Sequence, residues 1–441
     1  MVNFEYMYSF NKERYQKIYK KELLHEEPVS AVEYEDGIIL PAIPKEGILF
    51  GNGGVLNRNK KYIEESGIIS YGRDVYKKNK TPIIAFGGSY NVKSVKVVDE
   101  KVVYGGLITN HWGHFLIDFS TRLWYMLECN ENLKIAFVVK EGQKIQLIPS
   151  IKRFLQLLDI NEERILFINT PTKFSSIIVP QCSYVTNGYY TDQFLKVFDT
   201  VVSRIKEKNQ EKNAKIYFTR SGWYKSKGSE VGEDLLVDLF KKNGFKIVSP
   251  ENCTLDEQIS LIRSSDVVAG IEGTIPHNML FSKKGQKIII VNKTYNFNSM
   301  QKDINIMRDL TVDYIDAYVS IFPVPMGDGP FAIVYSEELE RYIKDNEMFP
   351  PNEIYTDLGY RGKMLKQLIQ MVRESAVNIK YNTDLENSAY FDPMHLEKFY
   401  ELYYYNTYPI SFWEKTKKKY NKLTFLSKKI LFRLKTMIKN K

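Results

Sequence analysis

The sequence has little cysteine and no long apolar run. Its three cysteines, Cys129, Cys182 and Cys253, are scattered over 441 residues, so we expect neither a disulfide framework nor a zinc site. No run of about 18 apolar residues is present, which argues against a membrane-spanning helix. The first residues also lack the apolar core and small-residue cleavage site of a secretory signal. These features predict a protein of a reducing compartment, the cytoplasm.

Most of the chain also lacks an excess of either charge. The net charge of +9 comes from 62 basic and 53 acidic residues. From Trp413 to Lys441, eleven Lys or Arg residues stand against one acid, a net charge of +10, so the rest of the chain is close to neutral. A neutral body argues against nucleic-acid binding, which favours basic stripes on the folded surface.

The basic end has apolar residues at helical spacing and lysines between them. This pattern predicts an amphipathic helix that lies on an anionic membrane surface. A helix docked on the body, a disordered basic end and RNA binding are the alternatives. The residues assigned to membrane association are Trp413, Lys417, Lys418, Lys419, Leu426, Lys428, Lys429, Ile430, Arg433 and Leu434.

From about Pro82 onward, short apolar strands alternate with amphipathic helices in two similar blocks. This alternation predicts an α/β fold in which crossover helices join parallel strands, with two Rossmann-like lobes facing a cleft. A cluster of glycines at 51–54 predicts a turn. The domains expected are an N-terminal extension of unclear role (1–80), an N-terminal acceptor-side lobe (81–210), a C-terminal nucleotide-sugar lobe (211–330), a mostly helical, tyrosine-rich region (331–412) and the basic tail (413–441).

The first chemical cluster is the segment Asn-His-Trp-Gly-His-Phe-Leu-Ile-Asp at residues 110–118. If a helix starts here, then His114, Asp118 and Arg122 share one face at a spacing of four residues. A histidine or carboxylate that faces a cleft suits a general base for a hydroxyl. The alternatives are helix-start histidines with a surface Asp118–Arg122 pair, or a metal site for which no further ligand is apparent.

The second cluster runs from Asp266 to Asn278, where an apolar strand leads through Glu272-Gly273-Thr274 into a helix start. Such a turn can hold a diphosphate on its backbone amides, and we expect His277 and Asn278 to point to the same place. An ordinary strand-to-helix turn is the alternative.

The third cluster is Arg220 at the end of the predicted strand Ile216–Thr219. Its guanidinium fits phosphate oxygens, or a nearby acid.

In this order, these clusters resemble glycosyltransferase family 61 over about Gly105 to Val291. The residues that carry the resemblance are Asn110–Asp118, Arg122-Leu-Trp124, Tyr217–Arg220, Asn243–Phe245, Glu257-Gln258, Asp266–Gly270, Gly273 and Asn278. The chain departs from the family pattern in three places. It has Glu272 where His is common, Lys225 and Lys227 where arginines are common, and Asn292 where a Glu is common.

The resemblance implies a GT-B arrangement and an inverting transfer from a nucleotide sugar that needs no metal or other cofactor. The implied catalytic residues are Asp118, His114 and His111, one of which is the base. The implied donor-binding residues are Arg220, Glu272, Gly273, Thr274, His277 and Asn278. The implied acceptor-side residues are Asn110, Trp112 and Arg122.

The sequence therefore predicts a cytoplasmic bacterial glycosyltransferase, peripheral on the inner face of the cell membrane, that builds a capsular or other cell-surface polysaccharide or a glycoconjugate. Its partners would be a nucleotide-sugar donor, a polysaccharide or lipid-linked glycan acceptor and the anionic membrane. The alternatives are a polysaccharide pyruvyl transferase on the same fold and a catalytically degenerate scaffold of a polysaccharide assembly complex. The oligomeric state is open, a homo-oligomer included.

Overall fold

Two β-sheets organise the chain. The structure is a computed structural model, and it describes residues 7–10, 12–20, 22–71, 82–206, 214–220, 230–294, 298–319, 331–357, 359–360, 363–364 and 367. In chain order the described strands are β1 (Met7–Tyr8), β2 (Leu24–His25), β3 (Ala31–Glu35), β4 (Ile38–Lys45), β5 (Ile48–Leu56), β6 (Tyr62–Ile63), β7 (Ile68–Tyr71), β8 (Pro82–Phe86), β9 (Lys96–Leu107), β10 (Lys134–Val138), β11 (Ile165–Ile168), β12 (Thr172–Pro180), β13 (Tyr184–Val185), β14 (Tyr189–Tyr190), β15 (Ala214–Phe218), β16 (Glu230–Val231), β17 (Phe245–Val248), β18 (Ser265–Ile271), β19 (Lys287–Asn292), β20 (Thr311–Asp316), β21 (Tyr318–Val319) and β22 (Phe331–Ile333).

Helices connect many of these strands. They are α1 (Lys12–Tyr19), α2 (Trp112–His114), α3 (Trp124–Glu128), α4 (Pro149–Gln156), α5 (Asp192–Ser203), α6 (Asp234–Lys242), α7 (Leu255–Ser264), α8 (Thr274–His277), α9 (Ser299–Met307), α10 (Glu337–Asp345) and α11 (Glu353–Thr356), with a π-helical turn at Phe115–Phe119 and 3₁₀ turns at Glu64–Ser66, Glu162–Arg164, Pro250–Asn252 and Asn278–Phe281. Among the described residues, no helix is both long and apolar enough to span a bilayer.

The six-stranded sheet is parallel throughout, in the order β1-β20-β19-β18-β15-β17. Its central strands are apolar runs such as Ile-Ile-Ile-Val in β19, as expected for strands covered on both faces. Helix α7 begins directly after Thr254, which forms a reciprocal capping box with Glu257. The mixed α/β class with parallel strands is therefore confirmed.

The larger sheet is mixed, with the order β11-β10-β9-β12-β4-β5-β6 and with β3 also paired to β12. Strands β9 to β12 pair in parallel, whereas β3 to β6, from the first 80 residues, add antiparallel pairs. The glycines at 51–54 lie within β5, so the predicted turn is wrong. A Cβ on Gly54 would lie 2.6 Å from Ser66 Oγ, so close packing explains that glycine.

The two sheets share one hydrophobic cluster. Three aromatic rings span the junction: Phe154 from α4, Phe198 from α5 and Phe281 from the 3₁₀ turn after α8, with ring centroids 5.5–6.1 Å apart. A bidentate ion pair, Arg153 to Asp256 at 2.8–2.9 Å, joins α4 to the start of α7. Apolar and charged contacts therefore hold both sheets in one relative position.

Beyond residue 330, the described part contains β22, α10 and α11. Helix α10 buries Leu339, Tyr342 and Ile343 against the six-stranded sheet. The remainder of the predicted helical region and the whole basic tail lie outside the described residues.

The helix that the sequence places at His114, Asp118 and Arg122 is broken, and this corrects the place expected for Arg122. Ser120 N–H donates to Phe115 O across five residues, and a turn at Ser120–Leu123 follows, so the spacing of four residues is lost. Arg122 is 1% exposed and donates to the carbonyls of Pro180, Glu65 and Gly67. Its guanidinium also lies over the ring of Tyr104. Arg122 is thus a core residue and cannot contact an acceptor.

Replacing Arg122 with Met should destabilise the fold by roughly 3–5 kcal/mol, because three buried carbonyls lose their charged donor. Urea unfolding measures the loss. The matched control is Arg164→Met, since Arg164 also donates to carbonyls, those of Leu133 and Asp159, at a less buried position. Equal losses for the two variants would contradict this role for Arg122.

Candidate functional site

Four segments that follow the carboxyl ends of strands contain most of the predicted site residues. Residues 108–114 follow β9, Arg220 follows β15, the turn 272–274 follows β18, and Lys293 follows β19. In sheets of parallel strands, this edge is where ligands bind. Each segment also contacts at least one of the others, as the following distances show.

His114 and Asp118 form a hydrogen-bonded pair. His114 Nδ1 lies 2.6 Å from Asp118 Oδ2, and the side chains are 24% and 9% exposed. His111 caps the short helix α2, because its Nδ1 accepts a hydrogen bond from His114 N–H. The π-helical turn places Asp118 one turn beneath His114. The histidine is therefore the more accessible member of the pair.

Aromatic rings orient His114. Phe50 from β5 meets the imidazole edge to face, with ring centroids 5.0 Å apart and an interplanar angle of 87°, and Phe119 packs on the same two rings. The His111 ring lies 4.5 Å away, centroid to centroid. Sequence reasoning missed Phe50, since nothing in the chain near residue 50 indicates that β5 reaches the 110–118 segment.

The 110–118 segment is in direct contact with the turn after β18. Trp112 Nε1–H donates to Asn278 Oδ1 at 2.8 Å. A Cβ on Gly113 would lie 3.0 Å from Thr274 Oγ1, so a larger residue there would require Thr274 to shift. Trp112, Thr274 and Asn278 therefore join the two motifs to each other, rather than pointing at separate ligands.

His277 lies beneath this junction and does not point to the turn at Gly273. It is 5% exposed, its Nδ1 donates to Gln301 Oε1 at 2.8 Å, and its Nε2 accepts from Asn298 Nδ2 at 3.4 Å. This tautomer follows from the two amide partners. Gln301 donates its amide N–H to Asn305, so its Oε1 is the atom that accepts from Nδ1 of His277. Asn298 accepts backbone N–H groups at its Oδ1, so its Nδ2 is the atom that donates to Nε2 of His277. The expectation that His277 faces a donor is corrected, because both ring nitrogens bind α9 and the segment before it.

Burial lowers the pKa of His277 to about 4 from its usual value near 6.5. Its hydrogen bond to Gln301 and the charge of Asp118 act in the opposite direction, while His114 and His111 lower the pKa further. The His114–Asp118 pair is therefore close enough to His277 for its charges to act on that ring.

On the other side of that turn, two cations lie beside Gly273. A Cβ on Gly273 would be 3.2 Å from Arg220 Nη1 and 3.9 Å from Lys293 Nζ. The glycine has φ +140°, a conformation that other residues rarely adopt. Of the predicted donor-binding residues, Arg220 and Gly273 thus lie together.

Carboxylates hold this basic cluster in place. Glu230 Oε1 lies 2.6 Å from Lys293 Nζ and 3.4 Å from Arg220 Nε. The backbone N–H of Arg220 donates to Glu233, a buried carboxyl whose pKa is raised by burial. Glu272 is 3% exposed, and its Oε1 accepts from Asn298 N–H, so it belongs to the interior side of the turn.

Asn110 supports the site from outside. Its amide donates to Gln146 O at 2.8 Å and accepts from Ile148 N–H at 3.0 Å, which fixes the loop before α4. Sequence reasoning also missed Lys293 and Glu230. The sequence signal that could have indicated Lys293 is its place just after the apolar run that forms β19. No sequence signal indicates Glu230, because β16 is only two residues long.

The comparisons agree with this arrangement of motifs. A family model described as Glycosyltransferase 61 matches residues 112–289. Residues 112–289 therefore carry the pattern of glycosyltransferase family 61. The chain is thus an enzyme that transfers a sugar, and a glycosyltransferase implies a nucleotide-sugar donor and a glycan acceptor. The match favours this activity over the pyruvyl transferase and scaffold alternatives.

No curated protein sequence matches the chain. Among solved structures, it is similar to the bacterial iron-containing dodecameric glycosyltransferase TibC from enterotoxigenic E. coli H10407, at 10% identity and a TM-score of 0.23, covering 61% of this chain and 79% of that one. A second structure, the dodecameric iron-containing heptosyltransferase TibC in complex with ADP-D-beta-D-heptose, has 12% identity and a TM-score of 0.23, covering 70% of this chain and 80% of that one. TM-scores this low carry no argument about fold or mechanism.

One expectation is nevertheless contradicted. The sequence predicted a transferase with no metal or other cofactor, whereas both similar structures are described as iron-containing. In the part of the chain that the structure describes, no three or more His, Cys, Asp or Glu side chains are grouped to hold a metal ion. The described residues therefore do not fit an iron centre, and no chemical step is assigned to one.

The low pKa of His277 predicts that its contribution to the stability of the enzyme depends on pH. Between pH 6.5 and pH 4 the unfolded chain binds more protons at this position than the folded chain, so stability falls as pH falls. From pH 7 to pH 5 the loss should be about 2 kcal/mol.

Urea unfolding at both pH values, for the wild type and for His277→Gln, measures this contribution. The difference between the two proteins isolates His277 from other buried groups, such as Asp316, whose pKa is raised to about 6 and whose effect has the opposite sign. An unchanged pH dependence in His277→Gln would contradict the assignment.

Proposed function

We propose that this enzyme is an inverting glycosyltransferase that uses His114 as its general base and acts on a hydroxyl of a cell-surface polysaccharide or glycoconjugate. The observation that carries the proposal is the 2.6 Å hydrogen bond from His114 Nδ1 to the more buried Asp118. Sequence reasoning left the base open among Asp118, His114 and His111. The pair geometry favours His114, because it is the more exposed partner and Asp118 can orient it.

The positions of the protons on the His114 ring support this role. With Nδ1–H donated to Asp118, the Nε2 atom of neutral His114 carries a lone pair. Nε2 takes the proton of the acceptor hydroxyl, and the oxygen forms a bond to the anomeric carbon of the donor sugar. The bond from that carbon to the phosphate oxygen breaks, and the nucleoside diphosphate leaves with the electron pair. Attack opposite the leaving group inverts the anomeric configuration.

On the donor side, Arg220 and the Gly273 turn are the proposed diphosphate contacts. A guanidinium forms strong paired hydrogen bonds with phosphate oxygens, and a turn without a side chain allows the phosphates to approach the backbone. Helix α8 has only four residues, so we assign the stabilisation of the leaving charge to the side-chain cations rather than to a helix dipole.

The wider setting is also proposed. We infer a GT-B arrangement with residues 81–210 as the acceptor-side lobe and 211–330 as the donor lobe. The scattered cysteines and the +10 segment from Trp413 to Lys441 support a cytoplasmic bacterial enzyme held on the inner membrane face beside a lipid-linked acceptor. Capsule or another cell-surface glycan is the proposed product.

Incubation with a panel of UDP-, GDP- and CMP-linked sugars, with release of the nucleotide as the signal, tests the activity. Once a donor is found, His114→Gln should lower kcat about 10²- to 10⁴-fold, the usual contribution of a general base, while the Kd of the donor stays near that of the wild type. Asp118→Asn should also lower kcat, because an amide donor at Nδ1 favours the other tautomer of His114.

The chain offers a matched control. His25 Nε2 lies 2.9 Å from Asp192 Oδ1, but that pair is exposed and remote in sequence from the motifs. His25→Gln should leave kcat unchanged. A kcat of His114→Gln equal to that of the wild type would contradict the proposed base, and failure to bind or turn over any nucleotide sugar would contradict the function.

A further inference from the structure

Lys293 is a buried cation beside the proposed diphosphate turn. Its side chain is 4% exposed, and its Nζ lies 2.6 Å from Glu230 Oε1 and 4.3 Å from the centroid of the Phe331 ring. Burial lowers the pKa of Lys293, and the Glu230 carboxylate opposes that shift. A lysine held this deeply needs a compensating anion, because removing an ammonium from water is costly.

The position of Lys293 relative to Gly273 resembles that of Arg220. The point where a side chain would begin at Gly273 is 3.2 Å from Arg220 Nη1 and 3.9 Å from Lys293 Nζ. Arg220 follows β15 and Lys293 follows β19, so the two cations come from different parts of the sheet. Both lie beside Gly273, which has a φ of +140° and no side chain to fill the space next to them. Such a convergence of positive groups suits an anion with several oxygens.

Glu230 shows what chemistry the two cations accept. One of its oxygens, Oε1, lies within 3.4 Å of Arg220 Nε and 2.6 Å of Lys293 Nζ, and the side chain is 4% exposed. An anionic oxygen placed between a guanidinium and an ammonium has the same surroundings as a phosphate oxygen in a two-cation site. Glu272 adds negative charge near Lys293, but its Oε1 is directed to Asn298 N–H.

We propose that Lys293 is the second cation of the diphosphate subsite, and that the Glu230 carboxylate competes with the donor diphosphate for it. This inference rests on the function proposed above and names a residue that the family motifs did not indicate. In the protein without donor, the Glu230 carboxylate pairs with Lys293 and Arg220. When a nucleoside diphosphate binds, its oxygens take the place of the carboxylate at Lys293 Nζ.

The two partners of this ion pair should therefore have opposite effects on binding. Lys293→Met should weaken the binding of inorganic pyrophosphate and of UDP, GDP and ADP about tenfold or more, the loss expected for one charge-assisted hydrogen bond. Glu230→Gln should tighten the binding of the same probes severalfold, because it removes the competing charge and keeps the shape. Lys293→Arg should retain most of the affinity.

Isothermal titration calorimetry on the full chain measures these changes. The matched control is Lys287→Met, since Lys287 lies at the opposite end of β19 and pairs with Asp313 at 2.9 Å. It should bind the probes as the wild type does. The double variant Glu230→Gln, Lys293→Met leaves neither charge of the pair, so it keeps the test valid if Lys293→Met fails to fold. It should bind the probes more weakly than Glu230→Gln, because the two proteins differ only in the charge at residue 293.

Each outcome has a definite meaning. Weaker binding by both Glu230→Gln and Lys293→Met would show a purely structural ion pair and would overturn the inference. Wild-type affinity in Lys293→Met, or a double variant that binds as tightly as Glu230→Gln, would also overturn it while leaving the proposed function intact. A wild-type protein that binds neither pyrophosphate nor any nucleoside diphosphate would overturn the proposed function, and this inference with it.

Discussion

The contact between Gly113 and the turn at Thr274 is the constraint on which the site depends. It joins a segment that follows a strand of the larger sheet to a turn of the six-stranded sheet, and Trp112 adds a hydrogen bond to Asn278 at the same place. A side chain at Gly113 would crowd Thr274, so the glycine lets the two motifs approach this closely. The shared aromatic cluster and the Arg153–Asp256 pair hold the sheets in the position that this contact needs.

Buried polar groups then hold the elements around the contact between Gly113 and Thr274 in place. Behind it, His277 binds α9 through Gln301, while α9 places Asp303 where the backbone N–H of Asn187 and the hydroxyl of Tyr184 donate to it. The adjacent Lys302 is fully buried and pairs with Asp303. Buried groups of this kind are costly to leave without partners, so they favour a single arrangement of the sheets. In the account proposed here, that rigidity holds the His114 base and the cations at Gly273 at a constant separation.

Local sequence patterns predicted strands and helices well. The contacts of individual side chains depended on residues that come close only in the folded structure. The capping box at Thr254 and the apolar runs of β18 and β19 depend on adjacent residues, so they could be read directly from the chain. The predicted position of Arg122 was wrong because a π-helical turn, which no residue pattern in the sequence predicts, changes the spacing after Asp118. The contacts of His277 and Lys293 could not be predicted from their motifs, because their partners, such as Gln301 and Glu230, lie in segments distant in sequence. The family pattern located the site, whereas the packing determined which side chains face it.

The central claim is that one active site forms where the two motifs meet, with donor phosphates on one side of the turn and His114 on the other. A crystal structure of the full chain with a bound nucleoside diphosphate tests it most directly. The account predicts phosphate oxygens within about 3 Å of the Arg220 and Lys293 side chains, next to Gly273, with the terminal phosphate directed toward His114. A diphosphate bound elsewhere, with Arg220 and Lys293 still paired only to Glu230, would contradict it.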